Sequence, residues 1–108
     1  MDTLFYASGA LYAKFGSDKR EYFYEDGRLR TLENYREGKL HGEVTLYWPS
    51  GTLKRKMQFE NGVRVGLDQM WNESGVLVDE GAYVQGRPTG KHRRWSESGE
   101  LLEEISYV

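Results

Sequence analysis

Apolar side chains in this chain alternate with polar ones over short runs, and the runs recur at a fixed interval. Leu29, Leu53, Leu77 and Leu101 are each 24 residues apart. Phe23, Tyr47, Trp71 and Trp95 keep the same spacing, as do Tyr35, Phe59, Tyr83 and Tyr107. Ten of the thirteen glycines fall on this grid: Gly27/51/75/99, Gly38/62/86 and Gly42/66/90. Period-two alternation between glycine-bearing turns predicts β-strands. No window holds the i, i+3, i+4, i+7 apolar spacing of a helix for two turns. A fixed period of this length marks a repeat architecture, in which each unit buries its apolar side chains against its neighbours.

The expected fold is all-β: a single-layer antiparallel meander of stacked β-hairpins. One unit runs from Gly27-Arg28-Leu29 through Tyr35-Arg36-Glu37-Gly38 and Gly42 to Tyr47. Leu29 and Tyr35 are six steps apart, so strict alternation places them on one face. Glu43, Thr45 and Tyr47 likewise share a face. Gly38-Lys39-Leu40-His41-Gly42 is expected to be the hairpin turn, and Pro49-Ser50-Gly51 the turn into the next unit. One domain, 1–108, is expected, with a degenerate first repeat at 1–26. Full repeats follow at 27–50, 51–74 and 75–98, and a terminal half repeat at 99–108. This arrangement predicts about nine strands and a sheet on the order of 40 Å long.

Composition narrows the functional classes. Charged residues make up 30% and hydrophobic residues 38%, which is lean for a two-layer core. Fifteen basic and seventeen acidic residues give a net charge of −2, so nucleic acid is not an expected partner. With no cysteine, a disulfide framework and thiolate zinc sites are excluded. No apolar run reaches the roughly 18 residues of a membrane span. The most apolar run, Leu4–Phe15, lacks a basic leader and reads as a worn first repeat. A cytoplasmic location is expected. Met1 and the end at Val108 suggest a complete small protein.

The segment Tyr35-Arg36-Glu37-Gly38-Lys39-Leu40-His41-Gly42, followed by Tyr47-Trp48-Pro49-Ser50-Gly51-Thr52-Leu53, resembles a MORN repeat in its bacterial variant form. The chain is also similar to YwqK-family antitoxin-like proteins, which are strings of such units. The resemblance covers nearly the whole chain from Gly9 onward. It implies single-sheet hairpin stacks that serve as protein-interaction or membrane-docking modules, with no catalytic residues of their own. Departures from the pattern include Val63 and Arg87 where Lys39 stands in its unit, and Gly81 where Glu33 and Met57 stand in theirs.

Positions that recur in phase are explained by stacking, so positions that vary between units are the candidates for function. The two aromatic series and the leucines form the recurring set. On the opposite side, the second strands read Tyr22 and Tyr24, then Val44, Leu46 and Trp48, then Asp68, Met70 and Asn72, then His92, Arg94 and Ser96. Tyr12 and Leu32 join them by parity. An apolar, tyrosine-rich patch would then occupy the N-terminal half. Candidate partner-binding residues are Tyr22, Tyr24, Leu32, Val44, Leu46 and Trp48, because Tyr and Trp are favoured interface anchors. The same residues would form an ordinary core if the sheet curled over them. Leu4, Phe5 and Tyr6 carry almost no charge and form a candidate self-association edge.

The chain is not expected to be an enzyme. His41 and His92 occupy different repeat positions and read as solvated rather than as metal ligands. No serine has an oriented base beside it, and no small-molecule substrate or cofactor is expected. Lys91, Arg93 and Arg94 are the candidate anion-binding residues. Alternation divides them between faces, so cross-strand ion pairing competes with that role. The leading functional reading is a non-enzymatic module that presents an aromatic surface to a protein partner or a second copy. The alternatives are an antitoxin-like neutraliser and, less favoured, a binder of anionic lipid at a membrane surface.

Overall fold

The computed structural model describes residues 2–108. Ten strands follow one another in sequence order: β1 (Asp2–Phe5), β2 (Leu11–Phe15), β3 (Lys19–Phe23), β4 (Leu29–Arg36), β5 (Lys39–Tyr47), β6 (Leu53–Glu60), β7 (Val63–Trp71), β8 (Leu77–Val84), β9 (Arg87–Trp95) and β10 (Leu101–Tyr107). They form one antiparallel sheet in the order β1 to β10 with no crossover. The single-layer meander expected from the alternation is what the chain adopts. It has ten strands rather than about nine, because β1 precedes the shortened first period. The Cα envelope measures 45 × 34 × 15 Å.

Turn chemistry sets the hairpins. Glu37-Gly38, Asn61-Gly62 and Gln85-Gly86 all have positive φ at both residues. That is the two-residue turn whose twist matches the flanking strands. The expected turn at Gly38–Gly42 is therefore shorter than predicted. Lys39–Gly42 already belongs to β5, and His41 lies in that strand rather than in a turn. The alternate connections share a second geometry. In one, the Trp48 N–H donates to the Thr52 carbonyl at 2.8 Å and the Gly51 N–H to the Trp48 carbonyl at 2.8 Å. The same pair of bonds recurs at Tyr24, Asn72 and Ser96.

β-Bulges overturn the simple parity argument. Tyr22 pairs with Thr31 but Phe23 pairs with Leu29, so Arg30 is an extra residue in β4. The register slips in the same way between Leu46 and Tyr47, and between Met70 and Trp71. An extra residue reverses the face of everything beyond it. Leu29 and Tyr35 thus lie on opposite faces, contrary to the expectation. The two aromatic series separate as well. Phe23, Tyr47, Trp71 and Trp95 lie opposite Leu29, Leu53, Leu77 and Leu101 on the face that carries Thr45. Tyr35, Phe59 and Tyr83 lie on the face that carries Val44, Tyr22 and Asp68.

A single layer leaves little to bury. Among the described residues, the buried apolar side chains are Ala13, Val44 and Met57. Most rings are half-covered by their neighbours in the sheet. The sheet does not curl over the tyrosine-rich half to make a conventional core.

Gly81 shows how one departure from the repeat is absorbed. A Cβ at this position would fall inside the contact distance of the His92 ring. His92 lies flat on the bare backbone, with Nε2 2.9 Å from the Ala82 carbonyl. Its ring meets Tyr83 and Tyr107 edge-on at 5.3 and 4.7 Å. His92 is therefore half-buried, not solvated as expected. Gly81→Ala should cost about 1–3 kcal/mol through overpacking. Urea unfolding of Gly81→Ala, His92→Ala and the double variant should show a double-variant loss smaller than the sum of the single losses. Strict additivity would disprove the contact's role.

Candidate functional site

The Val44 face divides into two chemically distinct halves. In the N-terminal half, rings come together from the β1–β2 connection, β2 and β3. Tyr6 meets Tyr12 edge-on at 5.1 Å, Tyr12 meets Tyr22 at 6.0 Å, and Phe15 meets Tyr22 at 5.8 Å. Edge-to-face geometry sets the positive ring edge against a negative π face. Two arginines cover these rings. Arg20 lies 5.7 Å from the Phe15 centroid and 4.5 Å from that of Tyr35. Arg30 lies 5.3 Å from Tyr12 and 5.9 Å from Tyr22, and its Nη2 donates to Tyr12 Oη at 3.2 Å.

Neither guanidinium has a carboxylate partner among the described residues. Glu33 stands directly across from Arg20. It accepts instead from Tyr35 Oη at 3.0 Å. Burial, followed by that bond to Glu33, pushes the Tyr35 phenol above its ordinary value.

The C-terminal half is an ion network. Arg55 donates to both Asp68 oxygens, Nε to Oδ1 at 3.0 Å and Nη2 to Oδ2 at 2.7 Å. Arg64 adds a contact to Oδ2 at 3.4 Å and stacks 4.6 Å from the Tyr83 centroid. The bidentate bond to Asp68 raises the Arg55 pKa despite its partial burial. A forked pair of this kind holds both side chains in one plane.

The six residues expected to form a partner surface do not share one environment. Tyr22, Val44 and Leu46 do lie on one face, Tyr22 and Leu46 flanking Thr31. Leu32 does not: it pairs with Thr45 and Glu21 on the reverse side. The Arg30 bulge explains the error, because counting parity from Leu29 carries Leu32 to the wrong face. Tyr24 and Trp48 serve the stacking. Tyr24 Oη donates to the Tyr47 carbonyl at 2.6 Å, and Trp48 Nε1 to the Trp71 carbonyl at 3.0 Å. Each ties its turn to the next hairpin. At the equivalent places Asn72 and Ser96 bond within their own turns.

Leu4 and Phe5 lie exposed on β1, as a pairing edge requires. Tyr6 does not join them. It lies beyond the strand, half-buried, with its hydroxyl donating to the Phe23 carbonyl at 2.7 Å. Lys91, Arg93 and Arg94 are engaged by β10. Lys91 and Arg93 reach Glu104 at 3.9 and 2.7 Å, and Arg94 reaches Glu103 at 3.7 Å. The Arg93 bond holds the Glu104 carboxyl below its ordinary value.

Sequence reasoning missed Arg20 and Arg30, the cations on the aromatic half. Arg30 was legible only through the bulge, whose sole trace is the leucine-to-aromatic spacing. No three His, Asp or Glu side chains among the described residues converge to hold a metal ion. Surface depressions lie beside the turns, one of them between Trp48, Asn72 and Glu97.

Asp79 offers a pH test of the network. Burial pushes its carboxyl above the ordinary range, and Arg94 opposes that shift only in part. A raised folded-state pKa means that stability present at low pH is lost as the pH rises through it. Asp79→Asn should therefore stabilise the protein near neutral pH. The gain should fade once the pH falls below the ordinary carboxylate range. Urea midpoints across pH measure this, and a lower midpoint for the variant at neutral pH would contradict it.

Residues 40–61 and 88–108 each match the family model of the MORN repeat variant. No curated protein and no solved structure matches the chain. The two matched stretches start 48 residues apart (88 − 40), which is twice the 24-residue spacing of the leucines. Over those two stretches the chain is similar to MORN repeat variants, and the hairpins between and before them follow the same pattern of strands, turns and bulges.

Proposed function

We propose that this chain is a non-enzymatic interaction module that docks a protein partner on the N-terminal half of its Val44 face. One observation carries the reading. Arg20 and Arg30 lie over aromatic rings, on a sheet face that nothing among the described residues covers and where neither has a carboxylate partner. Arginine stacked on tyrosine is preorganised for a carboxylate, because its planar fork has already lost rotamer freedom. Tyr12, Tyr22, Phe15 and Leu46 supply apolar area around the two cations. The fitting partner is a protein segment in which acidic residues flank an apolar or aromatic side chain.

The similarity to MORN repeat variants supports a module of this kind. An antitoxin-like role is a narrower form of the same reading, in which the docked protein is a toxin. The lipid-surface alternative draws less support, since Lys91, Arg93 and Arg94 are already occupied by Glu103 and Glu104.

The test compares captured partners by affinity purification and titration. Arg20→Glu/Arg30→Glu should weaken the wild-type partner's binding at least about tenfold, as loss of a charge contact does at a desolvated interface. Lys14→Glu/Lys56→Glu changes the same charge on the reverse face and should leave binding intact. A partner held equally by both variants would overturn the assignment, as would a wild type that holds no protein reproducibly.

A further inference from the structure

The geometry points to end-to-end association of copies of this chain, with the β10 edge of one copy adding to the β1 edge of the next. This uses the edges of the sheet and is independent of the docking face.

Among the described residues, nothing pairs with the outer side of β1 or of β10. Every residue of both strands is exposed. The large exposed apolar side chains concentrate there: Leu4 and Phe5 on β1, and Leu101, Leu102, Ile105 and Tyr107 on β10. Open edges of this kind recruit further strands.

Register identifies which strand fits. β10 begins at Leu101, as β4, β6 and β8 begin at Leu29, Leu53 and Leu77. Inside the sheet, strands of this type are flanked on their outer side by β5, β7 and β9. β1 is a strand of that second type. Its pairing with β2 repeats that of β5 with β6. Leu4 faces Ala13 as Leu46 faces Arg55, and after one bulge Phe5 faces Leu11 as Tyr47 faces Leu53. A following copy's β1 therefore supplies the kind of strand that β10 lacks. Ten is an even number, so the antiparallel alternation continues unbroken across the junction.

The β4–β5 register, carried to the junction, gives the contacts. Thr31 faces Leu46 and Leu32 faces Thr45. The same pattern sets Glu103 against Leu4 of the next copy and Glu104 against Thr3. One step further the junction ends at Leu102 and Phe5, the counterparts of Arg30 and Tyr47. These two side chains are exposed to 64% and 62%. The symmetric alternatives fit less well. Two β10 strands would oppose segments whose only charges are Glu103 and Glu104. Two β1 strands would set two strands of the second type side by side, whereas neighbours in the sheet alternate between the two types. A head-to-tail contact does not close on itself at two copies, so it builds chains or rings.

Such a short edge contact is weak, with a dissociation constant on the order of 0.1–1 mM. Light scattering should show the mean mass of the wild type rising with concentration past two chains. Phe5→Lys and Leu102→Lys each block one end, and each alone should remain a single chain. Mixed, they should form a two-chain species and nothing larger, because one free β10 edge meets one free β1 edge. Circular dichroism of each variant confirms the folded sheet. A wild type that stays a single chain across this range would overturn the proposal. Self-association of Leu102→Lys alone would assign the contact to paired β1 edges, and of Phe5→Lys alone to paired β10 edges. Either result would also overturn it.

Discussion

Backbone ladders between adjacent strands are the interaction on which everything else here rests. In a sheet one layer thick no second layer covers a side chain, so stabilising contacts must be made sideways along the sheet. Each strand is held by its two neighbours, and each side chain is sheltered by those before and after it. Tyr24 and Trp48 make this explicit, since each leaves its own turn to bond the carbonyl of the following hairpin. The same constraint makes the two outer strands chemically unlike the rest, because among the described residues they have a neighbour on one side only.

Within that frame the repeat tolerates different kinds of contact at equivalent positions. The N-terminal half uses edge-to-face rings with arginines laid over them. The middle of the sheet uses a forked Arg55–Asp68 pair with Arg64 alongside. Farther along, an imidazole rests on a glycine between two tyrosines. Gly81 and His92 are a matched pair: the ring occupies the space that a side chain fills in the other units. The departure at Gly81 is thus a local exchange of contacts, and the ladder around it continues.

These exchanges give the Val44 face its chemical asymmetry. In the C-terminal half, Arg55, Arg64 and Arg94 on this face are paired with the sheet's own carboxylates. Arg20 and Arg30 lie over rings and have no carboxylate partner among the described residues. A lattice that repeats in backbone thus presents two unlike surfaces on one face, one saturated internally and one open.

The 24-residue spacing of leucines, aromatics and glycines was sufficient to establish strands, their order and a single open layer. Those features depend on local turn chemistry and on neighbours along the chain, which the letters record directly. The pairing of Lys91, Arg93 and Arg94 with β10 carboxylates was legible for the same reason: alternation and nearby glutamates foretold it. Face assignment was not legible. Bulges at Arg30 and its counterparts add one residue apiece, and one residue reverses which side every later side chain occupies. That slip misplaced Leu32, separated Leu29 from Tyr35, and hid Arg30 as a companion of Tyr22, whereas Arg20 shares the parity of Tyr22 on β3 and was legible. Nor did the letters record that Tyr24, Trp48 and Tyr6, which lie in the connections, are spent on carbonyls of the next hairpin. Periodicity is a property of one strand and its turns, so sequence conveys it. Which side chains meet depends on register between strands, and register is settled only when the backbones pair in space.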